Sequence, residues 1–214
     1  MGRIQTTDGL TEEQQELLAL VREFVDEQII PNAQELEHSD TYPEQIVEQM
    51  KELGIFGLMI PEEYGGLGES LLTYALCVEE IARGWMSVSG IINTHFIVAY
   101  MILQHGTDEQ KQRFLTPLAQ GRMIGAFALT EPHTGSDAAA IKTRAVKDGD
   151  DYILNGAKQF ITSGHNAGVI IVFAVTDPGA GKKGLSAFLV PRDSAGYEVI
   201  RVEEKLGLHA SDTC

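Results

Sequence analysis

The chain has 214 residues, enough to bury a sizeable core, and its 43% hydrophobic and 22% charged content is that of an ordinary globular protein of two domains or one large one. A formal net charge of −15 with no basic cluster argues against nucleic acid as a partner, because neutralising phosphates needs Lys and Arg. The two cysteines, Cys77 and Cys214, are too few for a disulfide framework or a thiolate site, and the six histidines lack metal-ligand spacing, so no metal is expected.

Met1 to Gly9 is polar and Thr11 to Glu16 acidic, which is not a secretory signal; a soluble cytoplasmic protein is expected. Thr11-Glu12-Glu13-Gln14 is a capping box, and Leu17, Leu18, Val21, Phe24, Val25 and Ile29 follow at helical spacing, which predicts one long amphipathic helix. Tyr42-Pro43 opens a second helix that Gly54 ends. "IPEEYGGLGES" reads as loop. A third helix is predicted from Leu71 to Ala82 and a fourth through "GWMSVSGIINTHFIVAYMILQHG". That stretch has no Asp, Glu, Lys or Arg, yet Ser87, Ser89, Asn93, Thr94 and His95 would be costly in hydrocarbon, so it reads as a helix buried in protein. A fifth helix begins near Thr107 and stops by Gly121.

Past Gly121 the period changes. "MIGAFALT", "IKTRAVKDGDDYILNG", "QFIT", "AGVIIVFAVT", "GLSAFLVP" and "YEVIRV" read as strands separated by Asp-Gly, Asn-Gly and glycine-rich turns. Closely spaced strands with no helices between them predict an antiparallel barrel or sandwich. The expected architecture is an all-α domain over residues 1–120 and an antiparallel β-barrel-like domain over residues 121–214. Charge divides the same way: residues 1–120 carry 20 acids and 6 bases, net −14, and residues 121–214 carry 11 acids and 10 bases, net −1.

Several motifs have both a bland and a functional reading. "GAGKKG" at 179–184 matches G-x-G-x-x-G, but a strand and not a helix follows, so it reads as a hairpin loop. Ser89 and Asn93 share a helix face and serve either helix-to-helix hydrogen bonds or the wall of a ligand cavity. "GAFALTEPHTGSD" runs an apolar strand into a loop of hydroxyls and free backbone groups. There Pro132 fixes a bend and Gly135 lets backbone approach a ligand. That loop suits a flat heterocycle with a polar edge plus a phosphate; alone, it is equally a decorated turn. "NGAKQFITSG" repeats the pattern, with Phe160 and Thr162 expected on one strand face.

Taken together, "LTEPHTGSD" at 129–137, "IKTRA" at 141–145, "YILNGAKQFITSG" at 152–164, "GLSAFLVP" at 184–191, "EKLGLHASDTC" at 204–214 and "LGIFGLMIPEEYGGLG" in the helical half resemble the acyl-CoA dehydrogenase family. The resemblance runs through essentially the whole chain, in order. It implies an all-α domain, a middle β-barrel domain and a C-terminal helical domain that is absent here. It also implies FAD as cofactor and oxidation of an acyl-CoA thioester, of fatty or branched-chain origin, to the 2,3-enoyl-CoA.

Carried onto this sequence, the resemblance puts the flavin's pyrimidine edge against Leu129 and Thr130, with Phe127 and Gly135 close by. Ser136 would meet both the cofactor's phosphate region and the acyl-CoA, whose cavity would have Ser89 and Asn93 in its wall. Phe160, Ile161 and Thr162 would cover the flavin's other side. Phe160 stands where many members carry tryptophan, and His133 where others have glycine or another residue. The family's catalytic glutamate belongs to the C-terminal domain, so it and the last barrel strands are expected beyond Cys214. No catalytic residue is assigned within the chain, and Glu131 belongs to the cofactor loop. A homotetramer or homodimer and an electron-transfer flavoprotein are the implied partners. Same-fold alternatives are a reduced-flavin monooxygenase or an acyl-CoA oxidase; outside enzymes, the alternative is a non-catalytic flavin- or acyl-CoA-binding fragment.

Overall fold

The computed structural model describes residues 9–214, so the polar opening stretch lies outside it up to Asp8. Helix α1 (Glu12–Phe24) starts at the expected capping box, with Thr11 and Gln14 bonding each other's backbone N–H. The predicted long helix is broken by a π turn at Val25–Ile29 before continuing as α2 (Ile30–His38). Leu18, Val21, Phe24, Val25 and Ile29 nonetheless share one buried core with α3 (Glu44–Glu52), α4 (Leu71–Gly84) and α5 (Met86–His105). Helix α5 is long and apolar enough to cross a membrane by length and composition, but over half of it is buried in the structure, Ser87, Ser89 and His95 included. Helix α6 (Asp108–Ala119) begins at a second capping box, Thr107 with Gln110.

Five strands follow: β1 (Gly125–Ala128), β2 (Arg144–Asp148), β3 (Asp151–Asn155), β4 (Val169–Val175) and β5 (Leu185–Pro191). They form one mixed, open sheet and not a closed antiparallel barrel. β4 is central, pairing antiparallel with β5 on one edge. On the other edge β1 runs parallel to it over Val169–Val172, and β2 takes up the same direction at Val175. Antiparallel pairing holds for β2–β3 and β4–β5 but fails for β1 and β2 against β4, because the loop between β1 and β2 works as a crossover, returning the chain to the edge it left. Among the predicted strands, "QFIT" and "YEVIRV" join no ladder. Phe160 and Ser163 have φ of 59° and 61°, which breaks an extended run, and both edges of β4 are occupied before residues 197–202 could reach one.

One face of the sheet packs on α5 and α6: Val169 and Ile171 meet Val98, Ile102, Phe114 and Leu115 in a second core. The other face buries Ala126, Ala128 and Ile170 against Ile161 and Ala167. Helix α5 and β1 approach closely at Gly125, where an added Cβ would lie 2.6 Å from the Val98 Cβ, so only glycine fits. His95 makes the polar contact beside it, with Nε2 at 3.1 Å from the Phe56 carbonyl and Nδ1 at 3.4 Å from the Gly125 N–H. A carbonyl only accepts and an amide N–H only donates, so the ring is neutral with its proton on Nε2. Burial, opposed by the Phe56 bond, pushes its pKa down to about 4.

This packing makes a stability prediction. Gly125→Ala overpacks the α5–β1 contact and should destabilise by about 1–3 kcal/mol, with partial recovery in Gly125→Ala/Val98→Ala. Urea denaturation of the three proteins checks it, and unchanged stability in the single variant would contradict the packing.

Candidate functional site

The site lies where β1 leaves the edge of β4. Between Ala128 and Arg144 the chain makes an excursion that opens with a tight turn, Glu131 and Thr134 exchanging backbone bonds of 3.0 Å across Pro132-His133. Thr134 Oγ1 donates to the Asp137 carbonyl at 2.7 Å, and the His133 ring meets the Ala140 carbonyl at 3.1 Å. The loop thus holds its own shape, and Gly135 and Ser136 stand exposed at its tip. An added Cβ at Gly135 would find only ordinary contact with Thr130, so packing within the fold does not require glycine there.

Glu131 anchors this loop from below. Its carboxylate is buried and accepts from Lys142 N at 2.6 Å, Thr143 N at 2.9 Å, Thr143 Oγ1 at 2.5 Å and Lys158 Nζ at 2.8 Å. Burial raises its pKa, but the hydrogen bonds from Lys158, Thr143 and the two backbone amides outweigh it and set the value at about 2. Lys158 is itself lowered, because loss of solvent around its ammonium outweighs the attraction of Glu131. A carboxylate so fully occupied is a structural group and not a proton acceptor, in keeping with its assignment to the loop. Gly156 lets the segment that carries Lys158 pass close to Thr143: a Cβ there would lie 2.3 Å from Thr143 Oγ1.

The two polar segments singled out in the sequence meet here. Gln159 N donates to the Thr130 carbonyl at 3.0 Å, and Lys158 Nζ reaches the Leu129 carbonyl at 3.0 Å. Ile161 is buried against the sheet, while Phe160 is 59% exposed and Thr162 partly buried. The strand alternation expected to align Phe160 with Thr162 does not apply, since the segment is a turn with buried Ile161 between them. The Thr130, Ser136 and Thr162 hydroxyls make no side-chain hydrogen bond among the described residues. Phe127 points to the helical side, its ring 5.2 Å from that of Phe173.

The α5 pair divides. Ser89 is buried and bonds the Met86 carbonyl at 2.8 Å within its own helix. Asn93 is exposed and accepts from the Tyr74 hydroxyl at 3.2 Å, a helix-to-helix bond. The "GAGKKG" glycines form an exposed turn between β4 and β5, with no helix behind them. No group of three or more metal-ligating side chains occurs among the described residues. Sequence reasoning missed Glu131's donors, His95 and the carboxylate of Glu37, because each depends on partners far away in the chain.

Residues 11–122 match the family described as "Acyl-CoA dehydrogenase, N-terminal domain" and residues 126–214 the corresponding middle domain. The chain belongs to the acyl-CoA dehydrogenase family. It is 42% identical over 206 residues to a short-chain specific acyl-CoA dehydrogenase of Clostridium acetobutylicum, covering 96% of this chain and 54% of that one. Among solved structures, it matches a chain in that of the electron transferring flavoprotein of Acidaminococcus fermentans, with a TM-score of 0.93 and 39% identity over 97% of this chain and 55% of the other. A glutaryl-CoA dehydrogenase of Mycobacterium smegmatis in complex with FADH2 gives a TM-score of 0.87 and 36% identity, covering 95% of this chain and 52% of that one. The chain therefore spans about half the length of the family members it matches.

The buried carboxylate yields a pH prediction. Its folded pKa of about 2 lies below the ordinary 4.5, so its stabilisation is complete above about pH 4.5 and is lost as pH falls toward 2. Glu131→Gln should cost on the order of 3 kcal/mol at neutral pH, with the gap from wild type narrowing below pH 4.5. Denaturant melts between pH 7 and pH 3 measure this; a gap that stays constant across that range would contradict it.

Proposed function

We propose that the protein to which this chain belongs is an FAD-dependent acyl-CoA dehydrogenase, oxidising an acyl-CoA thioester to the 2,3-enoyl-CoA. The observation that carries the reading is the junction of residues 129–136 with 158–162. Three unpartnered hydroxyls and an exposed aromatic ring gather around a backbone bond that joins the two loops. That donor set fits a flavin, whose ring system offers an apolar face and a polar edge. The FADH2 complex of the related glutaryl-CoA dehydrogenase supports the same cofactor.

When bound, FAD supplies the acceptor for the hydride leaving the substrate's β-carbon. On this reading Leu129 and Thr130 orient the flavin's polar edge, and the Thr162 hydroxyl bonds its redox-active centre. Phe160 covers the ring and excludes water, while Ser136 meets the phosphate region and the thioester ligand. Gly135 completes the cofactor side, and Phe127, whose ring packs against Phe173 on the helical face, offers it only backbone. On α5, Asn93 stands on the open face toward the acyl group, and buried Ser89 supports that wall indirectly. Glu131 does not remove the α-proton, because four donors already occupy it. A soluble cytoplasmic homotetramer passing electrons to an electron-transfer flavoprotein completes the proposal, the last supported by the Acidaminococcus relative.

Thr162→Val in the full-length protein tests the reading. The hydroxyl has no partner among the described residues, so its loss should leave thermal stability unchanged. Flavin potential or the rate of anaerobic reduction by an acyl-CoA should fall by the equivalent of roughly 1 kcal/mol, that of a lost neutral hydrogen bond. Wild-type potential and rate together would place Thr162 away from the working edge.

A further inference from the structure

The turn that presents Phe160 and Thr162 carries internal backbone bonds only on its C-terminal side, Gly164 N to the Ile161 carbonyl at 3.2 Å and Ala167 N to the Ser163 carbonyl at 2.7 Å, and is otherwise held from outside. Phe160 and Ser163, at φ of 59° and 61°, occupy the left-handed region that side chains disfavour. Such backbone persists only where its surroundings over-determine it. Here the surroundings are a strap, residues 209–214, that belongs to no strand. Cys214 N donates to the Ile161 carbonyl at 2.9 Å, and Ile161 N donates back to the Cys214 carbonyl at 2.8 Å. Asp212 Oδ2 accepts from His165 N at 3.2 Å, Asn166 N at 3.0 Å and Asn166 Nδ2 at 3.1 Å.

The other end of the strap is fixed to the helical domain by Ala210, buried in the helical core, by the His209 Nδ1 contact with Asp40 Oδ1 at 2.6 Å, and above all by Glu37, which gathers four donors. Glu37, near the end of α2, accepts from His209 N at 2.9 Å on Oε1 and from Ala210 N at 3.3 Å on Oε2. Trp85 Nε1 at 2.9 Å and Ser87 Oγ at 2.7 Å, from the α4–α5 junction, also donate to Oε2. Three of the four partners can only donate and the Ser87 hydroxyl can do so, a set that favours an ionised acceptor. Burial works against that charge, but the four bonds outweigh it and hold the Glu37 pKa at about 2. Nothing else in the sequence marks Glu37: it is one acid among the 20 of the helical half.

We propose that Glu37 is a positioning residue for the flavin site: by clamping the strap to the helical domain it holds Ile161, and with it the left-handed turn that presents Phe160 and Thr162. The proposal rests on the assignment of residues 160–162 to the flavin. It deepens that assignment by making the helical domain responsible for one wall of a site built in the sheet domain.

Full-length Glu37→Gln tests it, since the amide keeps the shape but turns an NH2 group toward donors. Amide hydrogen exchange, followed with and without FAD, should accelerate about tenfold at residues 161–166 as well as 209–214, and stay unchanged in β4. The FAD dissociation constant should rise about tenfold. Ser87→Ala removes a single donor, keeps the fold, and should move both readouts in the same direction by less. Faster exchange confined to residues 209–210, with 161–166 at the wild-type rate, would overturn the proposal in either variant. Exchange in the FAD-free protein is independent of the cofactor. Wild-type protein that binds no FAD therefore overturns the flavin assignment itself, whatever the exchange pattern.

Discussion

Four donors converge on the buried carboxylate of Glu131, and they come from two stretches of chain, residues 142–143 and Lys158, that the sheet alone would not bring to it. A buried charge is tolerable only when it is paired and its lone pairs are filled, so the arrangement is close to all-or-none. Loss of one partner leaves a penalty, not merely a missing bond. Because Glu131 sits two residues after Leu129 and Lys158 two before Phe160, filling that carboxylate sets the distance between the two walls of the site. The geometry of the open edge of β4 follows from it: β1 can leave, make its excursion and hand the edge to β2 without unravelling.

The helical domain supplies the frame for both walls. His95 bridges the Phe56 carbonyl and the Gly125 N–H at the start of β1, the strand that ends in Leu129 and Thr130. Glu37 reaches the other wall through the strap and Ile161. Two polar side chains, each with directional partners, thus convert packing between domains into position at the site. Apolar contact alone, such as Val98 against Gly125, resists separation but specifies direction weakly.

What was legible in the sequence was local. Thr11 with Gln14 and Thr107 with Gln110 place their helices because a capping box is closed within four residues. The continuous apolar run that becomes β4 and the Asp-Gly turn between β2 and β3 are equally local. The loop at 129–137 stood out as a candidate because hydroxyls and glycine are poor choices for a strand that merely ends, although by itself it read equally as a decorated turn. "QFIT" misled because its β-branched and aromatic residues favour a strand, whereas pairing with Thr130 and Cys214 imposes a turn. "YEVIRV" failed for a similar reason: strand propensity finds expression only where an edge is free. The direction of β1 and β2 against β4 depends on a crossover whose anchor is Glu131, and no periodicity reports that.

In this proposal the Glu131–Lys158 junction builds the flavin site. A double-mutant cycle in the full-length protein, Glu131→Gln and Lys158→Met alone and together, read as the FAD dissociation constant, addresses it directly. Each single variant should weaken FAD binding about tenfold or more, and the pair should be no worse than the weaker single, a coupling of about 1.4 kcal/mol or above. FAD affinity at the wild-type level in all three proteins would contradict the claim.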